Sequence, residues 1–403
     1  MKIKTSYECE VETISPVHIG SGEKTGLGDY VVDEEKIVVV DIDKLISTIP
    51  KPDDLTEEIE SEGRNFRIEE FLRKQKIEAK SVEKYSIKWD SERSDREISA
   101  HIKNSFNQPY IPGSSIKGAI RTAILWYMMK GDGLIKEGQN AIKQGLDKMQ
   151  RELNKSKNGR ERGRIKKNWK KEIGKEIEKL VFYGKEKDAK YDVLKSLHVS
   201  DSNSVNLQNL EVSTVKIMST SSPTTYGWKD FRKRRAVTNH SQATPSFVEV
   251  LEKGTNIEGV CIGVDAFLFK EEIKKEIGFN NEQQKDITDF AKICNEFAKE
   301  LIEEEKLFYQ NYGFKELFSF YGELEKKIPV NDAFLVHLGW GSGWRGMTVG
   351  TLLDFNLLKE LRRQFRIGKT EPFIPEFPKT RKIVFENNQP TYPLGWAKIK
   401  IGN

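Results

Sequence analysis

The sequence predicts an α+β fold, and three observations carry that expectation. Strand-like runs recur along the chain, alternating at 4–14 and valine-rich at 36–41. Other stretches carry apolar residues at helical spacing. No fixed-period repeat runs through the 403 residues, which excludes solenoids and propellers. At this length two or three ordinary domains fit, and 37% hydrophobic residues suffice for a core under a heavily charged surface.

Taken in order, the first strand leads into Pro16-Val-His-Ile-Gly-Ser-Gly22, and residues 50–70 read as an acidic loop with a short helix. A polar stretch to Asn107 follows. Ile116, Ala119, Ile120, Ala123, Ile124, Tyr127 and Met128 then form one helical stripe. Ser114 and Ser115 are placed as N-caps, and Gly131-Asp-Gly133 ends the helix. Residues 148–190 predict a mostly helical insertion with a break at 158–163. Strands are expected at 193–199 and 210–218, then a basic loop, Trp228-Lys-Asp-Phe-Arg-Lys-Arg-Arg235. Residues 246–251 and 256–269 read as a hairpin turning near Lys253-Gly254. Ile287, Phe290, Ile293, Phe297 and Leu301 mark a second amphipathic helix with an acidic end, Glu303-Glu-Glu305. A strand at 333–338 and an extended, proline-bearing tail from Ile367 complete the chain. The expected division is 1–269 and 270–403.

The net charge of +5 is unevenly spread. From Lys148 to Lys190 there are 16 Lys and Arg against 7 Asp and Glu, a local +9. Such a basic segment is the usual electrostatic footprint of a nucleic-acid partner, although it also fits a solvated helix face. Three unclustered cysteines, Cys9, Cys261 and Cys294, argue against a disulfide framework and offer no zinc site. No apolar run is long enough for a membrane span, and the first residues lack the apolar stretch of a secretory signal. A cytoplasmic protein without metal or cofactor is expected.

Two glycine-rich, cationic segments look like halves of one site: Tyr110-Ile-Pro-Gly-Ser-Ser-Ile-Lys-Gly-Ala-Ile-Arg121 and His337-Leu-Gly-Trp-Gly-Ser-Gly-Trp-Arg-Gly346. Gly113, Gly118, Gly341 and Gly343 allow close backbone approach, while Ser114, Ser115, Ser342, Lys117, Arg121 and Arg345 supply donors suited to phosphate. The first segment fails the GxxxxGK[ST] pattern, which disfavours a nucleotide triphosphatase. Trp340 and Trp344 suit stacking on bases, or equally a core beneath the loop. Trp228, Arg232, Arg234 and Arg235 suit contact along a strand's backbone, and His18, Gly20 and Ser21 form a further candidate loop. The pattern points to RNA. Catalytic signals are poor: five dispersed histidines give no HExxH, and no GxSxG is present. Asp29 reads as a turn residue.

Together these segments resemble the RAMP proteins of CRISPR systems, most closely the Csm-type subunit that caps one end of the type III-A effector filament. The carriers are residues 14–22, 110–122, Leu197-His-Val-Ser-Asp-Ser202, 337–350 and the ending 378–384 with Pro393-Leu-Gly-Trp396. The resemblance implies two ferredoxin-like (RRM/RAMP) domains with helical and loop insertions. It implies binding of the 3′-side part of a crRNA, with target RNA as a further partner, and docking on the repeated backbone subunit. It also implies support of crRNA maturation through recruited nucleases rather than by cutting. The alternative is a metal-independent RAMP endoribonuclease that processes precursor crRNA, with His18 as general base and Lys117 as charge stabiliser.

Overall fold

The computed structural model describes residues 4–89, 96–131, 133–186, 188–232, 235–368 and 376–402. Among them, a five-stranded antiparallel sheet is built around Lys4–Thr13, whose Val11 is fully buried. This strand pairs with Asn256–Asp265 on one side and Trp396–Ile401 on the other. Leu197–Val199 and Ala333–His337 form the two edges. Two long helices, Gly113–Gly131 and Phe290–Asn311, pack on each other and on this sheet. In chain order the unit runs strand, helix, strand, strand, helix, strand, strand, and the last strand, Trp396–Ile401, is inserted between Lys4–Thr13 and Ala333–His337.

The second sheet is organised by Leu210–Thr220, which pairs with Ser246–Leu251, Glu83–Trp89, Tyr226–Asp230 and Thr380–Glu386. Gly20–Thr25 lies at one end of its main path, next to Ile98–His101, so the expected loop at 20–22 is instead the start of an edge strand. Glu83–Trp89 and Ile98–His101 fall in the stretch read only as polar. Tyr85, Ile87 and Trp89 are buried at period two, but the intervening charges mask the signal.

Two expectations are corrected. Ser246–Leu251 and Asn256–Asp265 are both strands, but they do not pair as a hairpin, because the first joins the second sheet and the other joins the first. The crossing is pinned by Thr13, whose hydroxyl donates to the Glu252 carbonyl at 2.5 Å and accepts from Thr255 N–H at 2.9 Å. Nor does hydrogen bonding break at 269: Trp396–Ile401 pairs with Lys4–Thr13, and Thr380–Glu386 with Leu210–Thr220. Each sheet draws strands from both halves of the chain.

The insertion is helical as read, with helices Leu134–Lys155, Gly159–Glu172 and Lys175–Phe182. Its break lies at 156–158, where the Asn158 side chain accepts from Glu161 N–H at 2.9 Å and caps the next helix. The acidic triplet Glu303–Glu305 lies inside a helix rather than at its end. Glu305 is buried and takes the Arg381 guanidinium at 2.7 and 2.9 Å, tying that helix to the second sheet.

Candidate nucleic-acid interface

The helix of the first glycine segment begins at Gly113, so Ser114 and Ser115 sit in its first turn and are not caps. The cap comes from elsewhere: the Asp201 carboxylate accepts Gly113 N–H at 2.7 Å, and the Ser202 hydroxyl accepts Ile111 N–H at 2.9 Å. A Cβ at Gly113 would strike the backbone of Val199 and Ser200. The glycine therefore serves close packing of the chain on itself, and a carboxylate already holds the positive end of the helix. Lys117 donates to the Leu194 and Leu197 carbonyls at 2.9 and 2.7 Å, and burial lowers its pKa. Arg121 is paired with Glu178 at 2.5 Å and lies over the Phe182 ring. These two cations are spent internally. Ser114 and Gly118 are exposed, with open space where a Gly118 Cβ would stand.

The second segment meets the first. Its short helix Gly343–Met347 packs against Gly113–Gly131, with Ala119, Ala123 and Gly346 around one small cavity. It also closes on the N-terminal loop, where Trp340 N–H donates to the His18 carbonyl at 2.9 Å. Gly339 has φ of 64°, and a Cβ there would fall on that carbonyl; one at Gly341 would fall on the Leu394 carbonyl. Ser342 donates to the Gly339 carbonyl at 2.7 Å, which tightens the turn. Trp344 sits edge-on to Phe377 at 4.7 Å and covers Gly350, so it packs as a wall of the fold. Gly343, at φ of 58°, faces open space.

Three cations gather at a cavity of about 280 Å³ beside this loop. Arg345 is paired with Glu304 and, at 3.1 Å, with Glu376. Arg381 holds Glu305. Lys382, invisible as a site residue in the sequence, lies 4.1 Å over the Trp340 ring and donates to the Trp340 carbonyl at 2.5 Å. Desolvation lowers its pKa to about 8. The three carboxylates balance the three cations here, so the field presented by the loop is weak.

His18 is only 4% exposed, and its Nδ1 hydrogen-bonds the Glu249 carbonyl at 2.6 Å. Burial lowers its pKa, and its Nε2 is turned toward Gly20, so the ring braces a loop. Gly20 and Ser21 are exposed on the edge strand. Beneath them the buried Glu249 accepts from Tyr85 at 2.9 Å and His101 N–H at 2.8 Å, and it is paired with Lys103. Asp29 accepts Gly26 N–H at 2.7 Å within its own turn.

The expected basic loop is a hairpin, Tyr226–Asp230 with Arg235–Val237. Trp228 is 2% exposed, between the rings of Phe385 at 5.2 Å and Phe314 at 5.9 Å. It is a core residue and cannot stack on a base. The Arg232 and Arg235 side chains are exposed without an acidic partner among the described residues, and Phe231 is 55% exposed beside them. Arg234 lies outside the described residues. No group of three or more His, Cys, Asp or Glu among the described residues could hold a metal ion, and no described helix is long and apolar enough to cross a membrane.

The model of the RAMP superfamily matches residues 10–346, a span that includes the N-terminal loop, both glycine segments and the basic hairpin. The chain belongs to the RAMP superfamily. Its curated RAMP relatives include the CRISPR system Cms protein Csm5 of Methanocaldococcus jannaschii, 28% identical over 98% of this chain and 89% of the relative. The protein of the same name from Streptococcus thermophilus is 24% identical over 98% and 97%. Among solved structures, a chain of the cryo-EM Csm-crRNA-target RNA ternary complex of a type III-A CRISPR-Cas system superposes with TM-score 0.69 at 24% identity, covering 98% of this chain and all of that one. The crystal structure of T. onnurineus Csm5 gives TM-score 0.61 at 22% identity, over 96% and 99%. The expected resemblance to a Csm-type RAMP subunit, and the α+β RAMP fold, are borne out.

Proposed function

We propose that this chain is an RNA-binding structural subunit of a type III-A CRISPR (Csm) ribonucleoprotein. In this reading it binds the 3′-side part of the crRNA, caps one end of the backbone filament and supports crRNA maturation. The observation that carries it is kinship along the full length: two curated relatives named Csm5 each match 98% of the chain. The two sheets are then two ferredoxin-like units interleaved in sequence. The partners are crRNA, target RNA, the repeated backbone subunit and nucleases recruited from outside. Arg232 and Arg235, exposed and without an acidic partner among the described residues, meet phosphates, while Gly20, Ser21, Ser114, Gly118 and Gly343 let the strand run close to the backbone. A structural role is supported over the nuclease alternative by the burial of His18 and by Lys117, whose ammonium is held by two backbone carbonyls.

Reconstitution with the other Csm subunits and a crRNA tests the reading. Native mass with and without this chain should differ by one copy, and deleting its gene should change the length of mature crRNAs. Several copies per particle, or an unchanged crRNA length profile, would overturn the cap assignment.

A further inference from the structure

We propose that the solvent face of the inserted helix Gly159–Glu172 is a second docking surface, one that takes the sugar-phosphate backbone of an RNA strand. The helix buries none of its residues fully. It leans on the rest of the insertion through Ile165, Trp169 and Ile173, spaced i, i+4, i+8, of which Trp169 and Ile173 pack against Gly145. Trp169 is fixed there by a 3.0 Å bond to Glu152.

Diametrically opposite stand Arg160, Arg164, Lys167 and Lys171, at i, i+4, i+7 and i+11. All four side chains are exposed, and none has an acidic, aromatic or carbonyl partner among the described residues. The contrast with the glycine segments is sharp, because Lys117, Arg121 and Arg345 are all paired internally. At a rise of about 1.5 Å per residue the four cations span about 16 Å in one row. Successive members are about 5–6 Å apart, the same scale as the step between adjacent phosphates on a strand. Like charges at these spacings repel along the helix, and a polyanion relieves that repulsion. The row carries no aromatic residue, so contact there is with phosphates and is indifferent to base sequence. The helix Phe355–Phe365, which follows the second glycine segment closely, packs against this helix.

This inference rests on the RNA-binding reading, and the test separates the two. Affinity of the full chain for a labelled single-stranded RNA of mixed sequence is measured across a salt series. The comparison is between wild type, the quadruple variant Arg160→Gln, Arg164→Gln, Lys167→Gln, Lys171→Gln, and the hairpin pair Arg232→Gln, Arg235→Gln. If all four cations meet phosphates, the slope of log K against log salt drops by about 2.8 in the quadruple variant, and affinity at low salt falls tenfold or more. Its thermal midpoint should hold or rise, since only exposed, unpaired charge is removed. An unchanged slope, while the hairpin pair loses about 1.4, overturns the second surface and leaves the RNA reading intact. Unchanged RNA binding with lost assembly onto a neighbouring subunit makes the row a protein contact and also overturns it. A wild type that binds no RNA sinks both.

Discussion

His101 bridges two segments of the interface. Its Nδ1 accepts Ile19 N–H at 3.2 Å, and its Nε2 faces the Tyr110 carbonyl at 3.4 Å, so the partners select the neutral, Nε2-protonated ring. Burial, reinforced by the nearby His18, pushes its pKa from 6.5 down to about 3. A lowered base is unprotonated in the native state where the unfolded chain binds a proton. Stability from this group is therefore complete above 6.5 and declines as pH falls toward 3. In urea titrations between pH 6.5 and 4, His101→Gln should remove up to about 1.4 kcal/mol per pH unit from the slope of unfolding free energy. An identical slope in the variant would mean that other groups govern acid sensitivity. At this scale the sequence named the right residue types but misjudged their partners. Arg345 carries a strong donor, yet the chain supplies Glu304 and Glu376 to use it.

Glycines of the same motif do different work once their elements are placed. Gly339 needs its positive φ and touches the His18 carbonyl, so Gly339→Ala should lose about 2–3 kcal/mol and loosen the loop against strand 20–25. Gly118 lies exposed inside a helix with nothing near its missing Cβ, and Gly118→Ala should stabilise by up to about 1 kcal/mol. Differential scanning calorimetry of the two variants reads both signs, and a Gly118→Ala midpoint below wild type would refute the helical argument. Helix periodicity was the most legible signal at this scale. The stripe from Ile116 to Met128 is the face of the 113–131 helix that meets the sheet, but Leu125 and Trp126 are buried too because a second helix covers another side.

The two sheets are stitched by strands from opposite ends of the chain. Removing 270–403 would leave Lys4–Thr13 without its Trp396–Ile401 partner and Leu210–Thr220 without Thr380–Glu386. Glu305 and Arg381 would both be lost from the seam, together with fully buried Trp396. A fragment of residues 1–269 should accordingly lack a cooperative thermal transition, whereas the full chain melts as a unit. A sharp, reversible melt of the fragment would restore the consecutive division expected from the sequence.

By itself the sequence determined the class of fold, the type of most elements, the basic insertion and the resemblance to RAMP proteins. Each is carried by local information: periodicity within one element, charge within one segment, or motifs in a fixed order. Tertiary structure alone decided which sheet each strand entered and which cations stayed free. Strand partners such as Lys4–Thr13 and Trp396–Ile401 are nearly four hundred residues apart, and no local pattern encodes that pairing. A guanidinium looks the same in sequence whether a glutamate or solvent faces it. Only the folded chain brings Glu304 to Arg345, and it leaves Arg232, Arg235 and the row from Arg160 to Lys171 facing water.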